Sequence, residues 1–450
     1  MTQKNKTPRF KRLQQPFFWG MMALVFVTSG AAFLALMTLT PLKNFASSHL
    51  PHSSKSLTGL IPTNLEHPVN ILILGIDNSG HPHKGNYTPA EALAGNSDTM
   101  LVVRLQPNNN QISVLSIPRD TLVSLPKIGI DKLNDANVRG GPKLAAEAVS
   151  QLLEGVSIDR YVRLDTEGFI HLVDALGGVE VTVPKQMDYT DKTQHLNIHI
   201  SPGRQKLDGL HLQEYVRFRH DRLGDIGRVQ RQQEVLKEIL HTLLQPESIG
   251  KLPQILQVVK DNVETDLSLQ EILAVAQTLV KSDRHQMHLM MLPGRFSRKD
   301  EYKLSYWIYN PKAAAGILSQ YFDVKTAKAE ENAAHVTDPK TLKIAVANAT
   351  KQPRDREMVV SFLRKHGFRN AYITNIDTIA DPQKTQIIAQ HGNPDSANAV
   401  SSILGTGQVQ VASIGDILSD ITIVVGADLV DQIKRQESKV RTTPARRVHS

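Results

Sequence analysis

The chain has 450 residues, 52 lysines and arginines against 44 aspartates and glutamates, and no cysteine. That length exceeds one ordinary hydrophobic core, so two or more domains are expected. The lack of cysteine excludes a disulfide framework, a thiolate metal site and a cysteine nucleophile, while the net charge of +8 suits nucleic acid and an anionic membrane surface alike.

Lys4, Lys6, Arg9, Lys11 and Arg12 make residues 1–16 a basic tail, and no charge interrupts the run from Phe17 to Thr38. About twenty apolar residues let a helix cross a bilayer, so a single transmembrane helix is expected over residues 17–40. The run is longer than the apolar region of a cleaved signal peptide. Few cations follow it, so the positive-inside rule keeps the tail cytoplasmic and exports the rest of the chain from the cell membrane. An exported body does not meet the chromosome, which removes nucleic acid as a partner. ATP is scarce there too, so any substrate should arrive already activated.

Residues 41–68, rich in Ser, Pro and His, read as a linker. Val69–Asp77 is a continuous apolar run ending in Gly75 and Asp77, the pattern of a strand buried on both faces. Met100–Leu105 and Ile112–Ile117 flank the turn at Pro107–Asn110 and predict a hairpin. A helix is expected over Gly141–Leu153, a strand over Tyr161–Leu164, a helix over Thr166–Leu176 ended by Gly177 and Gly178, and a strand over Val179–Val183. Strands alternating with helices predict a layered α/β domain.

Tyr215-Val216-Arg217-Phe218-Arg219 alternates arginine with apolar residues, which predicts a strand sending Arg217 and Arg219 to one face. A Gly/Asp-rich turn and a helix from about Asp225 follow. Arg228, Arg231 and Gln232 then share a helix face at i, i+3 and i+4. Arginine is planar, permanently charged and bidentate, so this convergence fits phosphate oxygens. The bland alternative is a solvated charged face.

Helices are expected to about Leu244 and over Leu267–Lys281, with a strand at His288–Leu292. Tyr302, Tyr306, Trp307 and Tyr309 read as packing or as the wall of an apolar groove. Residues 326–340 read as a second linker. A smaller α/β domain over residues 341–428 has strands at Leu342–Asn348, Ala371–Thr374, Thr385–Ala389 and Asp420–Val425, and helices at Glu357–His366 and Asp395–Leu404. Residues 429–450 read as a basic, disordered tail.

Three further clusters in the first domain, which spans residues 69–325, complement the arginines. Asp77 ends a strand, Asp98 precedes the next, and Arg119 and Asp120 follow another. Strand ends are where ligands gather in layered α/β folds. Two carboxylates with oxygen ligands suit Mg²⁺, and arginines with Mg²⁺ suit phosphoryl transfer. Each aspartate alone could equally serve a turn or a cap. His81/His83 and His195/His199 lack further ligands, and no phosphate-binding glycine motif is present.

These residues, taken together, resemble the LytR-CpsA-Psr family over roughly residues 69–244. The ordered motifs are Asn70–Asp77, Asn96–Thr99, Ser116–Thr121, Asp131–Asn134, Gly177–Val179, Leu207–Gly209 and Arg217–Gln232. Residues 341–428 are similar to the LytR C-terminal domain. The resemblance implies an α/β fold with a layered αβα domain behind one N-terminal transmembrane helix, plus a small C-terminal α/β domain. It implies an enzyme that moves a glycopolymer from polyprenyl pyrophosphate to a peptidoglycan hydroxyl, with its lipid in an apolar cavity. On that likeness Asp77 and Asp98 would hold Mg²⁺, and Arg119, Arg217 and Arg219 would bind pyrophosphate oxygens. Arg228, Arg231, Gln232 and Lys132 would complete the site, and Asp98 is an alternative base for the acceptor hydroxyl. The likeness departs at Leu212, where relatives commonly have a small residue. Two other readings are a non-catalytic module binding polyprenyl lipid or glycan, and a transcriptional attenuator.

Overall fold

The computed structural model describes residues 65–77, 89–191, 196–218, 225–243, 245–282, 287–324, 341–350, 352–374, 383–416 and 418–442. The expected basic tail, transmembrane helix and second linker, Arg219, His81, His83 and His195 lie outside the described residues. Among those described, no helix is long and apolar enough to cross a membrane.

The apolar run Val69–Asp77 is the third strand of a six-stranded sheet. The sheet runs, edge to edge, Val263–Thr265, Arg160–Asp165, Val69–Asp77, Asn96–Gln106, Gln111–Ser116 and Met287–Met291. Val69–Asp77 pairs in parallel with Arg160–Asp165 and antiparallel with Asn96–Gln106. The expected hairpin at Pro107–Asn110 is present, since Leu105 pairs with Ile112. Alternate residues of the central strand serve two cores. Leu72, Leu74 and Ile76 pack with Ala145 and Val149 of helix Asp135–Leu152. Ile71 and Ile73 pack in the other cluster with Leu236 and Leu240, and with Val275 and Leu279 of helix Leu269–Lys281. Helices therefore cover both faces, and the continuous apolar strand has its physical reason.

Helix Thr166–Leu176 has the expected bounds because its caps are strong. Asp165 accepts from the Gly168 N–H, and Gly177 is left-handed with φ 83°. The helix expected from Gly141 starts earlier, at Asp135, and bends at Gly140 and Gly141 ahead of Pro142.

The expected strand at Tyr215–Arg219 is not formed. Gly209–Arg217 is a helix, capped by Asp208, which accepts from His211 N–H. Over this longer window Leu212, Tyr215 and Val216 recur at i, i+3 and i+4, a helical stripe that a five-residue window hides. Leu212 and Tyr215 are buried with Phe218 against the short strands Val179–Val183, Met187–Asp191 and Leu196–Ile200. Leu212 thus fills the core of this part of the domain.

A second sheet runs Ala371–Ile373, Ile344–Asn348, Ile421–Val425, Gln386–Ala389 and Gln408–Val411. Its strands match the sequence expectation apart from the unforeseen Gln408–Val411. Residues 427–442 correct the reading of a disordered tail. They form a helix with Leu429, Val430 and Ile433 buried at i, i+1 and i+4.

The two sheets meet edge to edge. Leu289 of the first forms a parallel bridge to Ala412, and Ser413 N–H donates to Leu289 O at 2.8 Å. Met290, Leu292 and Ile317 share one hydrophobic cluster with Ile344, Val346 and Ile423.

Candidate functional site

The C-terminal end of Val69–Asp77 lies beside the N-terminal end of Asn96–Gln106, since Asp77 pairs with Asn96. The ladder skips a residue there: Gly75 faces Thr99 and Ile76 faces Ser97, so Asp98 has no partner across the strands. Asp98 is the extra residue of a β-bulge, a device that re-aims a side chain. Gly75 permits the close approach, because a Cβ there would sit 3.0 Å from Thr99 Cβ.

Gln111–Ser116 runs antiparallel to Asn96–Gln106, so residues 117–121 emerge at the same sheet end. Their turn is fixed by neighbours. Thr121 N–H donates to Pro118 O, Asn134 N–H donates to Arg119 O, and Asn134 O accepts from Ser97 N–H. The motif Asp131–Asn134 therefore stitches the Arg119 turn to the Asp98 strand.

The side chains form two sets of ion pairs. Arg119 Nη1 donates to Asp98 Oδ2 at 2.6 Å, and its Nε lies 3.7 Å from Asp120 Oδ2. Lys132 Nζ donates to the other Asp120 oxygen at 2.7 Å. Arg217 Nη2 lies 3.7 Å from Asp77 Oδ2. All six side chains are 21–28% exposed, so the cluster is a half-open rim that a solute can reach.

Behind Arg217 sits the helix Asp225–Leu243. Arg231 donates from Nη2 to Phe218 O, and its guanidinium lies 5.5 Å from the Phe218 ring centroid. Arg228 and Arg231 are each 8% exposed, so neither belongs to a solvated face. Gln232 is half-buried on the same helix. One turn on, Glu234 hydrogen-bonds Tyr215. Burial, followed by the charge of Glu238, pushes the Glu234 carboxyl up to about 7, and burial raises the Tyr215 phenol too.

The structure thus brings together Asp77, Asp98, Arg119, Lys132 and Arg217, with Arg231 tied to Phe218, the residue after Arg217. Arg219 lies outside the described residues. The sequence reading passes over Asp120 as a mere neighbour of Arg119, yet it links Arg119 to Lys132. Tyr306 and Trp307, read from sequence as packing or a groove wall, also touch the cluster: the Tyr306 ring lies 5.8 Å from Lys132 Nζ, and the Trp307 backbone N–H donates to Asp120 O at 2.8 Å. Trp307 is buried and edge-on to Phe296 at 5.1 Å, as expected of packing, while Tyr302 is exposed.

Among the described residues no group of three or more His, Asp or Glu is arranged to hold a metal. Asp77 and Asp98, hard oxygen donors on adjacent strands, suit an ion that takes one or two carboxylates and completes its shell with phosphate oxygens and water. The residues fit Mg²⁺ on that basis.

Fold and cluster define a mixed α/β protein whose larger sheet gathers carboxylates and cations at one end. The chain belongs to the LytR-CpsA-Psr family, whose model matches residues 42–322. The model described as LytR cell envelope-related transcriptional attenuator matches residues 341–429. An uncharacterized Staphylococcus aureus protein is 31% identical over 300 residues, 66% of this chain and 71% of that one. The Oceanobacillus iheyensis polyisoprenyl-teichoic acid–peptidoglycan teichoic acid transferase TagU is 31% identical over 276 residues, 58% of this chain and 80% of that one. The Bacillus subtilis transferase of the same description, TagV, is 34% identical over 215 residues, 47% of this chain and 52% of that one. Among solved structures, a Streptococcus agalactiae protein is similar with a TM-score of 0.50 at 27% identity, covering 58% of this chain and 90% of that one.

Proposed function

We propose that the chain is a cell-membrane-anchored, extracytoplasmic transferase that moves a glycopolymer from polyprenyl pyrophosphate to a peptidoglycan hydroxyl. The observation that carries this reading is the convergence of Asp77, Asp98, Arg119 and Arg217 at one sheet end. Its other support is the likeness to the teichoic acid transferases of Oceanobacillus iheyensis and Bacillus subtilis. The uncharged run from Phe17 to Thr38 would be the anchor.

In the reaction, the acceptor oxygen bonds to the phosphorus that carries the glycan. The bond from that phosphorus to the bridging oxygen breaks, and polyprenyl phosphate leaves with the electron pair. Glycan and acceptor end joined by a phosphodiester. Arg119 and Arg217 neutralise charge on the non-bridging and leaving oxygens, a preorganised electrostatic role. Arg219, Arg228, Arg231, Gln232 and Lys132 complete the pyrophosphate site in this reading. Asp77 and Asp98 would hold Mg²⁺, which supplies Lewis-acid polarisation of the phosphates. Asp98, braced by Arg119, otherwise takes the proton of the acceptor hydroxyl. Asp120 holds Arg119 and Lys132 in register.

The test supplies the full-length protein in detergent with a polyprenyl-pyrophosphate oligosaccharide, peptidoglycan fragments and Mg²⁺. Mass spectrometry should detect a phosphodiester-linked conjugate that is absent with Arg217→Ala and absent after chelation. Retention of lipid with no conjugate under any condition would favour a binding module instead.

A further inference from the structure

Three apolar side chains stand in water beside the cluster. Ile130 is 66% exposed, Val138 50% and Ile128 41%. They belong to the segments that build the site. Leu122–Leu125 and Gly129–Lys132 form a hairpin, and Val138 lies in the first turn of the helix that begins at Asp135. Side chains two apart on a strand share a face, so Ile130 stands on the face of Lys132, which reaches Asp120. Arg139 lies 3.5 Å from Asp131, joining the helix turn to the strand between them.

The fully exposed charges of this stretch have one sign. Residues 126–130, 138–140 and 143 are exposed, and the charged ones among them are Lys127, Arg139 and Lys143. The two aspartates of the stretch, Asp131 and Asp135, are only half-exposed and are engaged by Arg139 and Asn96. Isolated exposed apolar residues need no explanation, but three together under a rim of cations are the chemistry of a surface that meets lipid headgroups.

We infer that the rim formed by Lys127, Ile128, Ile130, Val138 and Arg139 docks on the surface of an anionic phospholipid bilayer. The isoleucines enter the headgroup region, and the cations meet lipid phosphates. This rests on the proposed transfer from a membrane-borne lipid and adds the surface that brings Lys132 and its partners to that lipid.

The chain has no native cysteine, which makes site-specific labelling direct. The full-length protein would be placed in nanodiscs of phosphatidylcholine and phosphatidylglycerol, with a fluorophore on Ile130→Cys or on Leu269→Cys. Leu269 is equally exposed, at 65%, but follows the Val263–Thr265 strand at the sheet end away from Asp77. Brominated lipid should quench position 130 and spare position 269, less so when the anionic lipid is omitted. Equal quenching at the two positions overturns the proposal, as does protection of position 130 from aqueous quencher without bromolipid quenching, the mark of a protein partner.

A second readout uses Ile128→Ser with Ile130→Ser. Transfer from a bilayer-embedded substrate should fall about tenfold, while transfer from a short-chain soluble analogue stays unchanged. Equal losses on both substrates, or no loss on either, overturn the docking role. A wild-type protein that transfers from neither substrate sinks the proposed function, and the quenching still decides the docking.

Discussion

Two regions of the larger sheet, its outer edge at Met287–Met291 and its end near Asp77, are held by different physics. Along its edge, the smaller sheet is joined by backbone hydrogen bonds and by a hydrophobic cluster that runs through both sheets. At the sheet end near Asp77, the structure is held by a bulge, turn hydrogen bonds and ion pairs between half-exposed side chains. Backbone and apolar contacts tolerate exchange of one aliphatic residue for another. A charged rim depends on the identity and placement of each group. The seam therefore reads as scaffold, and the charged end is where the proposed function places the chemistry.

The sharpest way to break this contrast is at the charged end. Asp98→Ala should lower kcat/KM for transfer by about 10²–10³-fold, with the melting temperature shifted by no more than a few degrees. Equal activity would move the chemistry away from the bulge. Steady-state kinetics with thermal unfolding on the same preparation reads both.

A smaller effect lies beneath the arginine helix. Folded Glu234 holds its proton up to about pH 7, against an ordinary value of 4.5. Between those values the folded chain binds more protons than the unfolded one, so its stability falls as pH rises. Glu234→Gln removes that slope. The variant should match the wild type at pH 4 and exceed it at pH 8 by up to about 3 kcal/mol, measured by chemical denaturation. A constant difference across pH would mean that burial does not control this carboxyl.

The smallest effect is expected at the seam. Ser413 Oγ accepts from Met291 N–H and donates to Gln390 O, each at 2.8 Å. Ser413→Ala leaves that buried N–H unpaired and should cost about 1–2 kcal/mol, with transfer by the folded fraction unchanged. A loss of kcat without a loss of stability would make the seam part of the active machinery.

What could be read from sequence follows the same division. The strand Val69–Asp77 and the helix Thr166–Leu176 were legible because burial on two faces and strong caps leave local marks. The helix Gly209–Arg217 was hidden by a short alternation of arginine and apolar residues. The helix Ala427–Thr442 was hidden by its charges, which outnumber Leu429, Val430 and Ile433. At the site, Asp77, Asp98, Arg119 and the arginines were legible as residue types at strand and helix ends. The link from Asp120 to Lys132 was not, nor was the anchoring of Asp120 by Trp307, because both depend on distant segments returning to one place.

The central claim is that Arg119 and Arg217, 98 positions apart in sequence, serve one phosphate site. It is tested most directly by transfer kinetics of Arg119→Ala, Arg217→Ala and the double variant. One shared site predicts that each single change lowers kcat/KM by about 10²-fold or more, and that the double variant is far less impaired than the product of the two. Losses that multiply in full, or a single variant with wild-type transfer, would contradict it.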